Sequence, residues 1–182
     1  MSSTARTLAL NWIAANTLGW AIAIAIPTTP PFQNIWGWIA CGAIVGTAQW
    51  LPLHGRLHFS PTWIAGTCLA WVLGLWAGVA HGFLAPDPYW AGAVGGSLAG
   101  VVQSWILWRR VSRPALWVPA SIVSSTFGWV AGAWVGFSVY HSLTETTAYL
   151  AAGAAGGAVI GMISAPVLLS MLRHPKQRQE PA

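Results

Sequence analysis

Three polar side chains occupy matching positions in an otherwise apolar sequence. Gln49, Gln103 and Ser164 each end a run of evenly spaced glycines inside a long apolar segment. A polar side chain within a membrane segment is costly and tends to face protein or water. These residues are therefore expected either to hydrogen-bond between helices or to contact a solute or a pigment.

His81 is a further candidate for ligand binding. It shares a helical face with Gly74 and Gly78, because seven residues correspond to nearly two full turns. It is either a hydrogen-bonding residue at the outer membrane interface or an axial ligand of a metal-centred macrocycle. The internal repeat described below aligns His81 with Val139, so the sequence does not supply a facing pair of histidines for a haem.

The apolar segments contain no residues arranged for catalysis. No carboxylate lies inside them, and the sequence has no phosphate-binding loop, dinucleotide fingerprint or nucleophile beside a base. His54 and His58 have no cysteine or carboxylate nearby to complete a metal site. We therefore predict that the protein is not an enzyme and binds no metal. The missing acids also disfavour proton- or cation-coupled transport.

The composition excludes an ordinary soluble domain. Of the 182 residues, 55% are hydrophobic and only 6% are charged, whereas charged residues make up about 25% of a typical soluble domain. The net charge of +5 is therefore expected to mark one side of a membrane, and no nucleic-acid partner is predicted.

Six apolar runs are long enough to cross a bilayer as helices, which takes ~20 residues. None alternates polar and apolar residues, so helices are preferred to a barrel. We predict an all-α integral membrane protein in which residues 1–182 form one transmembrane domain and 173–182 a basic polar tail. The predicted spans are Leu8 to Ile26, Ile35 to Leu53, Trp63 to Ala85, Tyr89 to Trp108, Leu116 to Tyr140 and Ala148 to Leu172.

The charges predict the orientation of these spans. All eight Lys and Arg residues fall on one side of the six-span arrangement, and Asp87 and Glu145 fall on the other. Because cytoplasmic loops carry an excess of basic residues, both termini are predicted to be cytoplasmic.

The spans repeat as three tandem helical hairpins. The segment from Trp71 matches the segment from Trp129, with Trp and Gly at identical spacing, and Trp12, Trp63 and Trp117 begin successive copies. The predicted repeats cover approximately residues 8–53, 63–108 and 116–172. Each copy starts and ends inside, so the copies are parallel repeats about an axis along the membrane normal.

Glycines form a stripe on one face of the second, fourth and sixth predicted helices, and they recur beside tryptophans in the third and fifth. Such small residues let membrane helices approach closely, although the same stripes would also suit a lumen or a flat ligand. If the hairpins close around the axis, Gln49, Gln103 and Ser164 converge near its cytoplasmic end. The predicted packing glycines are Gly42, Gly46, Gly74, Gly78, Gly92, Gly96, Gly100, Gly132, Gly136, Gly153, Gly157 and Gly161.

The 14 tryptophans divide by depth into two groups. Those near span ends fit the aromatic belts of membrane interfaces: Trp36, Trp38, Trp63, Trp90, Trp105, Trp108 and Trp117. The other seven do not all fit these belts: Trp12, Trp20, Trp50, Trp71, Trp76, Trp129 and Trp134. The last four are expected to lie well within the hydrocarbon. The deeper rings are expected to fill space beside glycines, or else to face lipid, a bound hydrophobic cofactor or a partner subunit.

The run Gly46-Thr-Ala-Gln49-Trp50-Leu-Pro-Leu, followed by a basic loop and Trp63-Ile-Ala-Gly, resembles uncharacterised polytopic membrane proteins of cyanobacteria and other phototrophic bacteria. These proteins have repeated Gln-Trp-Leu hairpins. Gln103-Ser-Trp105 fits this motif with one insertion, and the third copy lacks the Gln-Trp pair. The resemblance implies an inner or photosynthetic membrane but no activity.

Together these features predict a non-enzymatic accessory or scaffolding subunit of a larger membrane complex. Its expected partners are lipids and other membrane-protein subunits, and a photosynthetic complex would add a chlorophyll-type pigment or a carotenoid as cofactor. Lipid is a third candidate ligand. The alternative is a channel or transporter for small solutes, in which the glutamine and serine side chains form a polar constriction.

Overall fold

The chain forms six α-helices in a computed structural model that describes residues 3–25, 35–57, 61–80, 88–108 and 110–173. The helices are α1 (Ser3–Ala25), α2 (Ile35–Leu57), α3 (Thr62–Ala80), α4 (Pro88–Leu107), α5 (Trp117–Val139) and α6 (Glu145–Leu172). A 3₁₀ turn at Pro114–Leu116 precedes α5. The prediction of an all-helical protein is confirmed.

Three of the described helical segments are long and apolar enough to cross a membrane. They are Ser3–Ala25, Pro114–Val139 and Glu145–Leu172, and Thr62–Gly74 and Gly92–Leu107 are shorter apolar stretches. These lengths are consistent with a membrane location, since ~20 apolar residues span the hydrocarbon core.

The helices form a closed ring. Each packs against its neighbours in sequence, and α1 packs against α6. The first halves of α1, α3 and α5 meet the last halves of α2, α4 and α6 in one buried cluster, so neighbouring helices run antiparallel. This cluster, the tryptophan–leucine end, contains Trp12, Leu53, Trp63, Leu107, Val111, Trp117, Ala165, Leu168 and Met171.

Glycines lie where each even-numbered helix meets the next odd-numbered one. At each of these three interfaces a glycine contacts two residues three positions apart: Gly46 contacts Ile64 and Thr67, Gly100 contacts Val118 and Ser121, and Gly161 contacts Ile13 and Asn16. A Cβ on any of these glycines would lie 2.7–3.4 Å from the neighbouring helix. The backbones are therefore too close for a larger residue without movement.

Five of the other predicted packing glycines also lie where an even-numbered helix meets the next odd-numbered one. Gly42 lies against Cys68, Gly92 and Gly96 against α5, and Gly153 and Gly157 against α1. Gly74, Gly132 and Gly136 instead face the following even-numbered helix, where Gly74 approaches the Cα of Gly95. The surroundings of Gly78 lie outside the described residues.

Charged residues separate between the two ends of the ring. Arg6, Arg110, Arg113 and Arg173 lie at the helix ends nearest the tryptophan–leucine end. Glu145 opens α6 at the opposite end, where the side chain of Thr144 accepts a hydrogen bond from the backbone N–H of Thr147 and caps the helix.

The tryptophans predicted for the interface belts differ in exposure. Trp36, Trp90, Trp105 and Trp108 are exposed on the outside of the ring, but Trp38, Trp63 and Trp117 are buried inside it. The prediction for these last three is wrong because nearness to a span end sets the depth of a residue without setting which way it faces.

Candidate functional site

A layer of polar side chains fills the inside of the ring, one turn inward from Trp12, Trp63 and Trp117. Every helix contributes one member, and all are at least nine-tenths buried: Asn16, Gln49, Thr67, Gln103, Ser121 and Ser164. Buried polar groups are costly without hydrogen bonds. The bonding of this polar layer therefore decides what the ring interior can do.

Gln103 makes more side-chain hydrogen bonds than any other described member. Its Nε2 donates to Oε1 of Gln49 at 3.1 Å and to Oγ1 of Thr67 at 2.9 Å. Its Oε1 accepts a 2.7 Å bond from the indole N–H of Trp117. One side chain of α4 thus joins α2, α3 and α5.

The chain of bonds continues from Gln49 to the first helix. Nε2 of Gln49 donates to Oδ1 of Asn16 at 2.9 Å, and Nδ2 of Asn16 donates to the carbonyl of Trp12 at 2.9 Å. The indole of Trp12 donates to Oγ of Ser164 at 2.9 Å, and that hydroxyl donates to the carbonyl of Ile160 at 2.6 Å. The network therefore includes all six helices.

The donor directions in this network are set by Trp117. An indole N–H can only donate, so the amide oxygen of Gln103 must face it and the amide nitrogen must face Gln49. The same argument orients the amides of Gln49 and Asn16, and the sequence of donors ends on a backbone carbonyl. The amide groups are arranged for structural hydrogen bonding, with no acid or base among them.

Tryptophan rings lie on both sides of the polar layer. On one side Trp12 packs edge-to-face on Trp117, with ring centroids 5.8 Å apart. On the other, Trp20 lies 4.7 Å from Trp71 and 6.0 Å from Trp129, and Trp71 lies 6.2 Å from Trp129. Three odd-numbered helices thus contribute to one aromatic cluster.

A cavity of about 20 Å³ lies between these two aromatic layers. Residues from all six helices line it, and none of those described is ionisable. Gln49, Gln103, Ser164 and Trp71, all candidates from the sequence, are brought together here with Ser121, Ser124, Ser125 and others. The space matches one or two water molecules, since ~10–15 Å³ of such volume holds one.

The remaining candidates from the sequence lie elsewhere. Trp129 is half-buried against Trp20 and Trp71, whereas 72% of Trp134 is exposed on the outside of α5. The side chain of Trp76 and all of His81 lie outside the described residues. Among the residues that the structure describes, no group of three metal-ligating side chains occurs.

Several members of the site had not been singled out from the sequence. Trp117 is predicted only as a residue of the interface belts, and neither Asn16 nor Thr67 is among the candidates from the sequence. A signal was present, because Trp12 and Asn16, Trp63 and Thr67, and Trp117 and Ser121 each stand four residues apart. That spacing puts each pair on one helical face.

Comparisons with protein families, curated proteins and solved structures find no match to this chain.

Proposed function

We propose that the protein crosses the membrane six times, as three helical hairpins around a pseudo-threefold axis. The recurring contacts of Gly46, Gly100 and Gly161 support this proposal, because each glycine meets the next helix through the same two positions. These contacts favour a repeat register in which Trp12, Trp63 and Trp117 are equivalent positions over a register in which Trp71 is equivalent to Trp129. In the favoured alignment Ser125 is equivalent to Trp20 and Trp71.

We further propose that the protein lies in a bacterial inner or photosynthetic membrane with both termini on the cytoplasmic side. The described arginines at the tryptophan–leucine end support it, since basic residues are retained on the cytoplasmic side. Glu145 lies at the opposite end.

Within that membrane, the function that the geometry supports best is a non-enzymatic accessory or scaffolding subunit of a larger complex. The observation that carries this proposal is the filled interior. The hydrogen-bond network of the polar layer with Trp12 and Trp117 reaches all six helices, and the space left is about 20 Å³. Ligand pockets are usually about 300–1,000 Å³. A pigment, carotenoid or partner subunit would therefore bind the outer surface.

The outer surface offers aromatic contacts for such partners. Phe127, Trp134 and Phe137 project from α5 with 57%, 72% and 69% of their surface exposed. Leu18 on α1 is similarly exposed, at 61%, and provides a matched control. Trp134→Ala should weaken the association with a partner, while Leu18→Ala should not.

The test is purification of the tagged protein from its native membranes in a mild detergent, followed by mass spectrometry and an absorption spectrum of the same fraction. We expect a larger complex that contains other membrane subunits. A protein that purifies alone and monomeric contradicts the proposal. A complex without pigment absorption bands removes only the photosynthetic extension.

A specific observation also favours a second function, a path for small solutes. Gln49, Gln103 and Ser164 line a single cavity on the axis of the ring, as a polar constriction requires. Flux of small neutral solutes into proteoliposomes tests this function. Gln103→Leu should change the flux, and Ser97→Ala, which removes only a hydroxyl bonded within α4, should not. Equal flux in all three proteins contradicts it.

A further inference from the structure

The cavity lies between two layers of tryptophan rings. Trp12 and Trp117 line it toward the tryptophan–leucine end, and Trp20 and Trp71 line it toward the other end. Its volume of about 20 Å³ exceeds the ~10–15 Å³ that one water needs.

The cavity exists because α5 carries serines where α1 carries a tryptophan. Gly157 lies against the Asn16 carbonyl and the Cβ of Trp20, while Gly96 makes the corresponding contacts with Ser121 and Ser125. Ser125 therefore occupies on α5 the place that Trp20 occupies on α1. A hydroxymethyl group leaves much of the volume of an indole empty.

The indole of Trp129, one turn beyond Ser125 on α5, does not fill this space completely. Trp129 is half-buried, and its ring centroid lies 6.0 Å from that of Trp20 and 6.2 Å from that of Trp71. The remaining space is the cavity, and Ser121, Ser124 and Ser125 form its α5 wall.

The walls combine polar and aromatic side chains and include a donor without a protein acceptor. Trp20 lines the cavity and is 5% exposed, and its indole nitrogen has no hydrogen-bond partner in the described part of the chain. An unpaired buried N–H is costly. Three serines line the same cavity. The Ser124 hydroxyl donates to the carbonyl of Ser121 and can still accept, and the hydroxyls of Ser121 and Ser125 can both donate and accept. Polar cavities of this kind hold water, whereas cavities lined only by hydrocarbon stay dry.

The chemistry of the walls also excludes a charged occupant. None of the described lining residues carries a charge that would balance an ion, and an unpaired ion away from bulk water is strongly disfavoured. The occupant must therefore be neutral, about the size of water, and able to hydrogen-bond.

We propose that this cavity is a binding site for a single neutral, water-sized hydrogen-bonding molecule, held by the serines of α5 beside the indole of Trp20. Water occupies it in the membrane-embedded protein. The site deepens the second function proposed above, whose solute would share this chemistry. It is tested separately, because occupancy does not require transport.

The test is a nuclear Overhauser measurement between water and labelled methyl groups, with the whole protein in lipid nanodiscs. The Ala99 methyl lines the cavity, whereas the equally buried Ala165 methyl belongs to the tryptophan–leucine end. Both signals can be assigned by single substitutions. We expect a cross-peak from water to Ala99 and none to Ala165.

A substitution on α5 locates the bound molecule. Ser125→Val removes a hydroxyl and fills volume, so it should abolish the Ala99 cross-peak, while Ser138→Val at an exposed position of the same helix should preserve it.

Three outcomes would overturn the proposal. The first is a wild-type protein without a cross-peak at Ala99, which means a dry cavity. The second is a cross-peak at Ala165 as well, which means water along the whole axis. The third is a cross-peak that survives in Ser125→Val. A hydrated site in proteoliposomes without solute flux would contradict the transport function and leave the binding site standing.

Discussion

The indole N–H of Trp117 donates a 2.7 Å hydrogen bond to the side-chain oxygen of Gln103. Trp117 begins α5, and Gln103 lies near the end of α4. Because the indole cannot accept a hydrogen bond, this contact turns the Gln103 amide nitrogen toward Gln49 and Thr67. One bond between neighbouring helices thereby orients donors that reach α2 and α3.

A double-mutant cycle should detect the energy of this bond. Trp117→Phe removes the donor and Gln103→Leu removes the acceptor, and we expect each to lower the free energy of unfolding. Their coupling should be about 0.6 kcal/mol and at most about 1.7, the range found between membrane helices. Unfolding by SDS titration in mixed micelles measures it.

The matched control is a cycle of Trp117→Phe with Ser97→Ala. Ser97 is on the same helix as Gln103, but its hydroxyl donates to a backbone carbonyl of that helix, the carbonyl of Ala93. The effects of this control pair should simply add. If the Trp117 and Gln103 variants are also additive, the proposed orienting role of the bond is wrong.

Much of the polar layer was predictable, since the glycine spacing singled out Gln49, Gln103 and Ser164. Their partners were harder to identify. The spacing of Trp63 with Thr67 and of Trp117 with Ser121 puts each pair on one helical face but does not show that this face points inward. Both bonds to Gln103 cross between helices. Such contacts depend on how helices are rotated against one another, which hydropathy does not determine.

The helices themselves were predictable from apolar length, and their ends less so. The first helix begins at Ser3, five residues before the predicted Leu8. Helical backbone hydrogen bonding does not need apolar side chains, so the helix extends beyond the start of the apolar run. The register proposed from the glycine contacts differs from the sequence match of Trp71 with Trp129. The two rings lie in one cluster, yet Ser125 makes the contact that corresponds to Trp20.

Close helix contact makes Gly157 intolerant of a side chain. An added Cβ would lie against the backbone carbonyl of Asn16, and backbone atoms cannot rotate away as side chains do. We expect Gly157→Ala to lower the free energy of unfolding by about 1–3 kcal/mol, as overpacking does. The same unfolding titration tests it.

Gly55 provides the comparison for this substitution. It is exposed near the end of α2, with no atom within 4 Å of an added Cβ. Gly55→Ala should leave stability unchanged or raise it by up to about 1 kcal/mol through helix propensity. Equal losses at Gly55 and Gly157 would show that close packing is not the cause.

Two deep tryptophans should differ in their effect on stability. Trp71 is buried among Trp20 and Trp129, whereas Trp134 is exposed. We expect Trp71→Ala to cost about 3–5 kcal/mol through loss of packing, and Trp134→Ala to stay within about 0.5 kcal/mol, as surface changes do. Thermal unfolding of each purified variant in detergent gives the ranking. A large loss for Trp134→Ala would place its ring inside the folded protein.

Cysteine labelling should determine the orientation in the membrane. Ser112 and Ser142 are both exposed and lie in the segments before and after α5. If α5 crosses the membrane with the described arginines inside, Ser112→Cys is cytoplasmic and Ser142→Cys is external.

Both are tested with Cys41 and Cys68 replaced by alanine. In intact spheroplasts, a membrane-impermeant maleimide should label only Ser142→Cys, and both variants should be labelled after permeabilisation. Labelling of Ser112→Cys alone would reverse the orientation. Labelling of both in intact spheroplasts would mean that α5 does not cross the membrane.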